Sequence, residues 1–511
     1  MSHTPKTPIL QLTNWLKGFL AYSGIISYLC AVRRKKEIIV LENILVEGYA
    51  AEGKAIGKSE GKVIFIENCI PGDVVDVQLL KNKKDWANAF PIRFAHLSPD
   101  RVQPFCMHFG ICGGCTWQNL PYKKQLDYKQ KQVEDQLIRI GKIQFPQILP
   151  IIGSSETEGY RNKMEYTFST KKYIPKEEFS QIKASGEVYD TKVEQGVAGF
   201  HAKGFFDKVV EIDICYLQNE PTNEIRKFIA QFARLRKIPF YDIKEHQGWL
   251  RTMQIRNTTT NQLMVNIVFG YEDKENREAL LNLLLEKFPQ ITTLLFTINE
   301  KKNDSLYDLE PQIYSGEGFI KEYLENFIYK ISPKSFFQTN SKQAEKLYQV
   351  AREFALLDGT QTLYDLYCGT GSIGIFCSEK AEKIIGVEVV EEAIEDAKEN
   401  AKLNNIQHAS FFAGDVIKIC NNDFFAEHGR PDVIITDPPR AGMHEKLIEK
   451  LLEMEAPLIV YISCNPATQA RDLALLNVKY DITKVQPVDM FPHTMHIENV
   501  VQLKLKQEKT L

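Results

Sequence analysis

From about residue 332 the chain alternates helix-like and strand-like segments, and this alternation constrains the fold more than any other feature. Apolar runs of strand length stand at 362–366, 383–387, 409–413, 431–436 and 457–462, with amphipathic stretches at 342–357, 391–404 and 445–452. Parallel strands buried on both faces read as continuous apolar runs, and their crossovers need helices. The pattern predicts a doubly wound, mostly parallel, Rossmann-like sheet, closed by two more strands near 480–485 and 497–505. In such sheets ligands bind beyond the carboxyl ends of the strands. The residues at those ends are therefore the first functional question.

The first strand runs into Tyr367-Cys368-Gly369-Thr370-Gly371, where glycines permit a tight turn and close approach to a ligand. Glu388 ends the second strand, where a carboxylate accepts from ribose hydroxyls, and Asp415 follows the third, where an adenine amine is met. Gly369, Gly371 and Gly374 also satisfy a G-x-G-x-x-G spacing, with Glu388 about 20 residues on. The loop thus indicates a nucleoside-containing cofactor and leaves a dinucleotide and a methyl donor both open.

The fourth strand ends in Asp437-Pro438-Pro439-Arg440, a loop fixed by two prolines. The fifth ends in Ser463-Cys464-Asn465-Pro466. A cysteine taken alone is more often a small buried hydrophobe than a nucleophile. Glu498, however, stands at or just before the last strand, so Asp437, Cys464 and Glu498 converge on one cleft. Methylating a heteroatom needs no enzyme nucleophile. Methylating C5 of a pyrimidine does: a thiolate adds to C6, C5 attacks the methyl donor, and a base removes the C5 proton. His493 and His496 lie in the same segment without a third metal ligand and read as structural or substrate-orienting.

Upstream, 37–98 shows about five short strands between Gly, Asn-Lys and Pro-Gly-Asp turns, which fits a small OB-like barrel. Lys54, Lys58, Lys62, Lys81, Lys83, Lys84 and Arg93 lie among Tyr49, Phe65, Trp86 and Phe90. They read either as a solvated face or as a groove for single-stranded nucleic acid. Residues 99–331 form a mixed α/β central part. Within it, 122–141 predicts a helix with Leu126, Val133, Leu137 and Ile140 on one face, able to pack on the catalytic part. The polar insert at 171–195 predicts a long hairpin tip. Formal net charge is −3, so nucleic acid would have to be met by local patches. The apolar stretch 18–32 is shorter than the ~20 residues of a membrane span, and no cleavage site follows it. Residues 1–36 read as an extension or a mis-assigned start, with no stable membrane association. The ten cysteines are grouped, Cys106, Cys112 and Cys115 together, which suits a reducing, cytoplasmic compartment and ligation or catalysis.

These residues together resemble the RNA uracil-5-methyltransferases that use S-adenosylmethionine. Phe336-Phe337-Gln338-Thr339-Asn340 resembles the family's F-F-Q-x-N stretch, which implies that Gln338 binds the donor. Asp437 to Arg440 match D-P-P-R, and Ser463 to Pro466 match S-C-N-P, which implies Cys464 as nucleophile. The segment ending at Glu498 resembles the one that carries the base. Tyr367, Gly369, Gly371, Glu388, Asp415 and Asp437 fall at donor-site positions, and the resemblance selects the methyl donor; Ser372 stands where some members have Asn. Asp437 and Arg440 are implied in substrate positioning.

The barrel resembles a TRAM domain. Cys106, Cys112 and Cys115 with the distant Cys215 resemble the ligands of a [4Fe–4S] cluster in the ribosomal-RNA branch; four thiolates suit zinc as well. Tyr160-Arg161-Asn162-Lys163 resembles a family stretch and reads as an RNA contact or a solvated turn. The resemblance implies a cytoplasmic monomer that methylates C5 of a uridine in 23S rRNA. The route is a Cys464–C6 adduct on a flipped base, with Glu498 removing the C5 proton. The alternatives are the T-loop uridine of tRNA and a non-catalytic RNA-binding factor.

Overall fold

The computed structural model describes residues 38–50, 53–185 and 192–507. The 1–36 extension lies outside the described residues. No helix among the described residues is long and apolar enough to cross a membrane.

Strands Val40–Tyr49, Ala55–Ser59, Lys62–Ile66, Val74–Asn82 and Trp86–His96 close into a five-stranded barrel. The first pairs antiparallel with the second and fourth, and the third pairs parallel with the fifth. Alternate residues point inward, so Ile64, Ile66, Val75, Val77, Ala87 and Ala89 form a dry core. Gly57 is required there, since a Cβ would stand 2.6 Å from Ile44 Cγ2 and 2.7 Å from Leu45 O. Much of the positive charge on this barrel is already engaged. Arg93 pairs with Asp76 at 2.6 Å, Lys58 with Glu47 at 3.0 Å, and Lys62 donates to Asn82 at 2.7 Å.

The central part is a seven-stranded sheet. Its one parallel pair, Leu263–Phe269 with Thr293–Ile298, is joined by helix Lys274–Lys287, as a parallel connection requires. The insert at 171–195 is more than a bare hairpin tip. Strands Lys163–Lys171 and Lys192–His201 do pair antiparallel, but helix Lys176–Ser185 is built into their connection. Its Lys, Glu, Gln and Ala residues favour helix over turn. Residues 186–191 lie outside the described residues.

The C-terminal sheet has seven strands: β1 Thr362–Leu366, β2 Lys383–Glu388, β3 Ala409–Ala413, β4 Val433–Thr436, β5 Leu458–Ser463, β6 Tyr480–Val488 and β7 Glu498–Leu505. Their order is β3-β2-β1-β4-β5-β7-β6. The first five are parallel; β7 runs antiparallel between β5 and β6. Neighbouring β1 residues serve opposite faces. Leu363 packs with Leu347, Ala351 and Phe354 of helix Ser341–Ala355, and Tyr364 packs on the side of Leu447, Leu451 and Leu473. Hairpin Ile320–Leu324/Phe327–Ile331 buries Ile320, Leu324 and Tyr329 in the first of these cores, so this packing unit begins ahead of residue 332.

Helix Tyr122–Gln136 packs on the C-terminal part with a stripe that shares only Val133 with the predicted apolar face; Leu137 beyond it is buried, and Ile140 of that face is 44% exposed. Gln125, Lys129 and Val133, four residues apart, are its buried residues. Lys129 and Asp489, both with side chains 0% exposed, form an ion pair at 2.6 Å. Asp489 also accepts from Tyr122 Oη at 2.8 Å, and Lys129 donates to Phe491 O at 3.1 Å. Burial pulls Lys129 down while Asp489 holds it up. Removing one partner leaves the other charge buried alone. Lys129→Met is expected to cost roughly 3–5 kcal/mol, read from the urea midpoint. The double variant Lys129→Met/Asp489→Asn should cost less than the single one; an equal or larger loss would show the pair is not the source.

Candidate active site

The strand ends of the C-terminal sheet bring the expected residues together. Tyr367, Gly369 and Gly371 all have positive φ, at 61°, 53° and 74°. The turn swings the chain from β1 into helix Ser372–Phe376. A Cβ on Gly369 would meet nothing within 4 Å, so the backbone there faces open space. Glu388 lies across this loop. Its Oε2 accepts from Gly369 N at 3.2 Å, and its Oε1 accepts from Val389 N and Val390 N at 2.8 and 3.0 Å. Val389 and Val390 are 67% and 47% exposed, an apolar surface beside a carboxylate. Asp415 caps helix Val416–Ile419, accepting from Ile417 N at 3.0 Å. Ser372 Oγ is engaged by Tyr348 Oη at 3.0 Å.

Asp365 is buried in β1 and accepts from Gly374 N at 2.8 Å, with Oδ1 unpartnered. Burial pushes its carboxyl up to about 7, the Gly374 bond pulls down, and the charges of Asp437 and Glu388 push further up. Gln338 is buried in the stretch before helix Ser341–Ala355, and its carbonyl accepts from Asn162 Nδ2 at 2.9 Å. The preceding Phe336 is 70% exposed, although the next ring, Phe337, is buried.

Cys464 follows β5, and the structure explains its presentation. Asn465 is the N-cap of helix Pro466–Leu476, accepting from Ala467 N at 3.1 Å, and Pro466 occupies the first turn. This helix was not foreseen; the Asn-Pro pair is its start signal. Asn465 Nδ2 and Thr468 Oγ1 both donate to Arg440 O, at 3.1 and 3.2 Å, and so tie the thiol loop to the Asp437–Arg440 loop.

Glu498 opens β7, and the β5/β7 ladder pairs Ser463 with Asn499. Cys464 and Glu498 are the next residues beyond this pair, near enough for the charge of Glu498 to act on the thiol. Gln469 locks this step. Its Nε2 donates to Tyr461 O and Asn499 O at 2.9 and 3.1 Å, and its Oε1 accepts from Asn499 Nδ2 at 2.8 Å.

The electrostatics follow from that proximity. Burial pushes the Cys464 thiol up to about 11, with the charges of Glu498 and Asp437 adding; Arg440, by charge and hydrogen bond, pulls it down. Burial raises Asp437. Burial also raises Glu498, Asp437's charge raises it further, and Arg440 opposes. Two such close carboxylates do not both ionise readily. Burial and the positive charges around them hold His493 and His496 down to about 4, so both are neutral near pH 7.

The segment before Glu498 is held from far upstream. His493 N donates to Gln125 Oε1 at 2.9 Å, and His493 O accepts from Thr116 N and Trp117 N at 2.9 and 3.0 Å. Gln125, Lys129 and Gln469 are positioning residues that apolar periodicity passes over, because they are polar and buried.

Cys106, Cys112, Cys115 and Cys215 are brought to one region, all free thiols. Burial raises Cys112 to about 11 and Cys115 to about 12, with the other thiols of the group adding to each. Among the described residues no three His, Cys, Asp or Glu side chains are arranged to hold a single metal ion. The donor set is therefore four soft thiols, near enough to perturb one another yet not converged on one ion.

Comparison with known proteins agrees with this geometry. The family model for tRNA (Uracil-5-)-methyltransferase matches residues 312–506. A Bacteroides thetaiotaomicron RNA methyltransferase is 50% identical over 461 residues, covering 89% of this chain and 100% of the relative. One from Porphyromonas gingivalis is 48% identical, covering 89% and 98%. The crystal structure of Pyrococcus abyssi tRNA (uracil-54, C5)-methyltransferase in complex with S-adenosyl-L-homocysteine is similar with a TM-score of 0.69 and 29% identity. That likeness spans 91% of this chain and 100% of that one. With a thiol and a carboxylate at the ends of neighbouring strands, a glycine loop at the same edge of the sheet, and relatives matched along their whole length, this chain belongs to the RNA uracil-5-methyltransferase family.

Proposed function

We propose that the protein transfers a methyl group from S-adenosylmethionine to C5 of a uridine in 23S rRNA, with Cys464 as nucleophile and Glu498 as base. The observation that carries this reading is the β5/β7 register, whose last pair, Ser463 with Asn499, flanks Cys464 and Glu498, together with the charge of Glu498 acting on that thiol. The residues fit the donor: Gly369 faces open space, Glu388 lies beside it for the ribose hydroxyls, and exposed Val389 and Val390 offer an apolar face. Gln338, Tyr367, Gly371, Asp415 and Asp437 complete the set. The similar Pyrococcus enzyme, solved with the demethylated donor, supports this assignment. When bound, the donor supplies an electrophilic methyl group.

The chain's own residues do the rest. The Cys464 sulfur bonds to C6 of a flipped uracil, and the displaced electron pair makes C5 nucleophilic. Arg440 favours the thiolate. After C5 takes the methyl group, Glu498 accepts the C5 proton, the C6–S bond breaks, and the thiolate leaves. A carboxylate raised by burial suits a proton acceptor working near neutral pH. The exposed ring of Phe336 offers a stacking face for the flipped base.

The barrel and the four cysteines support the ribosomal substrate. A second reading, the T-loop uridine of tRNA, is favoured by similarity to the Pyrococcus tRNA enzyme over nearly the whole chain. Methyl-labelled donor offered to unmodified 23S rRNA and tRNA, with the label mapped, separates them. Label at C5 of a 23S uridine supports the first; label in tRNA alone moves the protein to the second; label in neither sinks the catalytic reading.

Cys106, Cys112, Cys115 and Cys215 would hold a [4Fe–4S] cluster, whose role is structural or in folding RNA and lies outside methyl transfer. Gly110, at φ 86°, lets the loop turn closely. Anaerobically purified protein is expected to carry about four iron and four sulfide per chain. Stoichiometric zinc without sulfide would refute the cluster.

A further inference from the structure

Three of the four grouped cysteines have a chain neighbour that leads to one turn, in the connection from β6 to β7. Phe105, beside Cys106, packs its ring edge-on against His493, with centroids 5.0 Å apart and planes at 73°. Thr116 and Trp117, which follow Cys115, donate their amides to His493 O at 2.9 and 3.0 Å. Tyr216, beside Cys215, meets the same Phe105 ring edge-on at 5.4 Å. The stretch after Cys215 reaches the turn by a second route. Gly159 N and Arg161 N donate to Tyr216 O and Leu217 O, both at 2.8 Å, and Tyr160 between them donates Oη to Pro492 O at 3.0 Å. Even Gln125, which accepts from His493 N, is tied to the same region, since its Nε2 donates to Trp117 O at 3.0 Å. His493 itself sits at φ 62°. That conformation is uncommon for a residue with a side chain and persists where the surroundings impose it. Here the surroundings are largely the cysteine-bearing loops.

We propose that the loops bearing the four cysteines position the base of the reaction: Phe105 is a positioning residue that, with the Thr116 and Trp117 amides, holds the Pro492–His493 turn and so sets where Glu498 meets the C5 proton. The proposal rests on the reading of Glu498 as that base. The β6/β7 ladder pairs Val488 with Glu498, so 489–497 is the whole connection between the two strands and Glu498 stands at its root. Cys464 depends on this turn less. It follows β5, and Asn465 beside it is tied to Arg440 O. A loosened turn therefore leaves addition to C6 and methylation in place and slows removal of the C5 proton. A base has to lie within hydrogen-bond reach of the proton it takes, and a misplacement of about 1 Å can cost ~10²-fold. Whatever the four thiols hold ties 106–115 to Cys215 and so braces both routes to the turn. The cysteine group acts on the reaction through position alone.

The test uses the full chain, purified anaerobically, and whichever of the 23S rRNA and tRNA transcripts takes up label. Phe105 is 36% exposed, so Phe105→Ala should fold. It is expected to lower kcat about tenfold, with KM for RNA and for the donor changing less than about twofold. A protein–RNA adduct should accumulate on ordinary uridine RNA, which a general loss of folded protein would not produce. Hydrogen exchange of the 489–497 amides should quicken while that of β1 to β5 stays as in the parent. Phe105→Tyr, which keeps the ring, should restore all three readouts. Tyr160→Phe, which removes the bond to Pro492 O, and Cys115→Ser, which removes one thiol from the group, should each act in the same direction. A kcat within twofold of the parent's in both Phe105→Ala and Tyr160→Phe overturns the proposal and leaves Glu498 as base; so does a loss that falls on KM for RNA without adduct. Exchange at 489–497 unchanged in Phe105→Ala and Cys115→Ser overturns the clamp whatever the reaction. No label from the parent on either RNA overturns the reading of Glu498 as base, and the proposal's effect on proton removal with it.

Discussion

Replacing Cys464 by alanine is expected to lower methyl transfer by roughly 10⁴-fold or more, the scale on which removal of an enzyme nucleophile acts. It should also abolish the covalent complex that 5-fluorouridine RNA forms with the parent. The reason is specific to C5 chemistry, since without a sulfur on C6 the C5 carbon is too weak a nucleophile to take the methyl group. The fold should survive. The thiol is only half-buried, and the cap that starts helix Pro466–Leu476 is made by Asn465, whose bonds to Ala467 and Arg440 do not involve the sulfur. A melting temperature near the parent's, with activity lost, separates chemistry from packing. Retention of activity within tenfold, or an adduct that maps to another residue, would remove Cys464 from the mechanism. The same experiment decides against a non-catalytic RNA-binding factor, which would form no adduct in either protein.

Glu498→Gln is expected to act later in the reaction and therefore to look different. Addition of Cys464 and methylation of C5 need no base at Glu498, whereas loss of the C5 proton does. Turnover should fall about 10³-fold, within the range usual for losing a general base. A protein–RNA adduct should accumulate on ordinary uridine RNA, visible as a slow band on a denaturing gel. The pH profile carries a second signature. Only the ionised carboxylate accepts a proton, and burial together with Asp437 raises Glu498. The parent should therefore gain activity as pH rises through that raised value, and the variant should lose this limb. A variant that turns over slowly without accumulating adduct would assign the C5 proton to another group.

Much of this was legible in the sequence where local rules suffice. The five parallel strands announce themselves as apolar runs, and Asp437 and Cys464 stand out because they interrupt such runs at the edge where ligands bind. What was not legible depends on partners far away. Gln125 and Lys129 look like solvent-facing residues, because their partners, His493 and Asp489, are more than 350 positions on. The helix within 171–195 is hidden by its polarity, and helix Pro466–Leu476 carries little apolar period beyond its Asn465-Pro466 start signal. Cys215 is grouped with the other three thiols from the sequence only by family resemblance, since no spacing rule reaches across the roughly one hundred residues between them. Gln469 gives no sequence signal at all; only the β5/β7 ladder shows that it fixes the step on which Cys464 meets Glu498.

The insertion of β7 between β5 and β6 has a consequence for how the protein is made. Along the chain β6 is synthesised before β7, yet its only neighbour in the sheet is β7. As the polypeptide leaves the ribosome, β5 waits with a bare edge, and β6 has only the 149–152 segment to bond to, whose Leu149 N and Ile152 N donate to Val485 O and Pro487 O. Both are satisfied at once when residues 498–505 emerge and slide into the gap. The event that completes the sheet is also the one that brings Glu498 to Cys464, so a nascent chain cannot carry a working thiol–carboxylate pair on a half-built core.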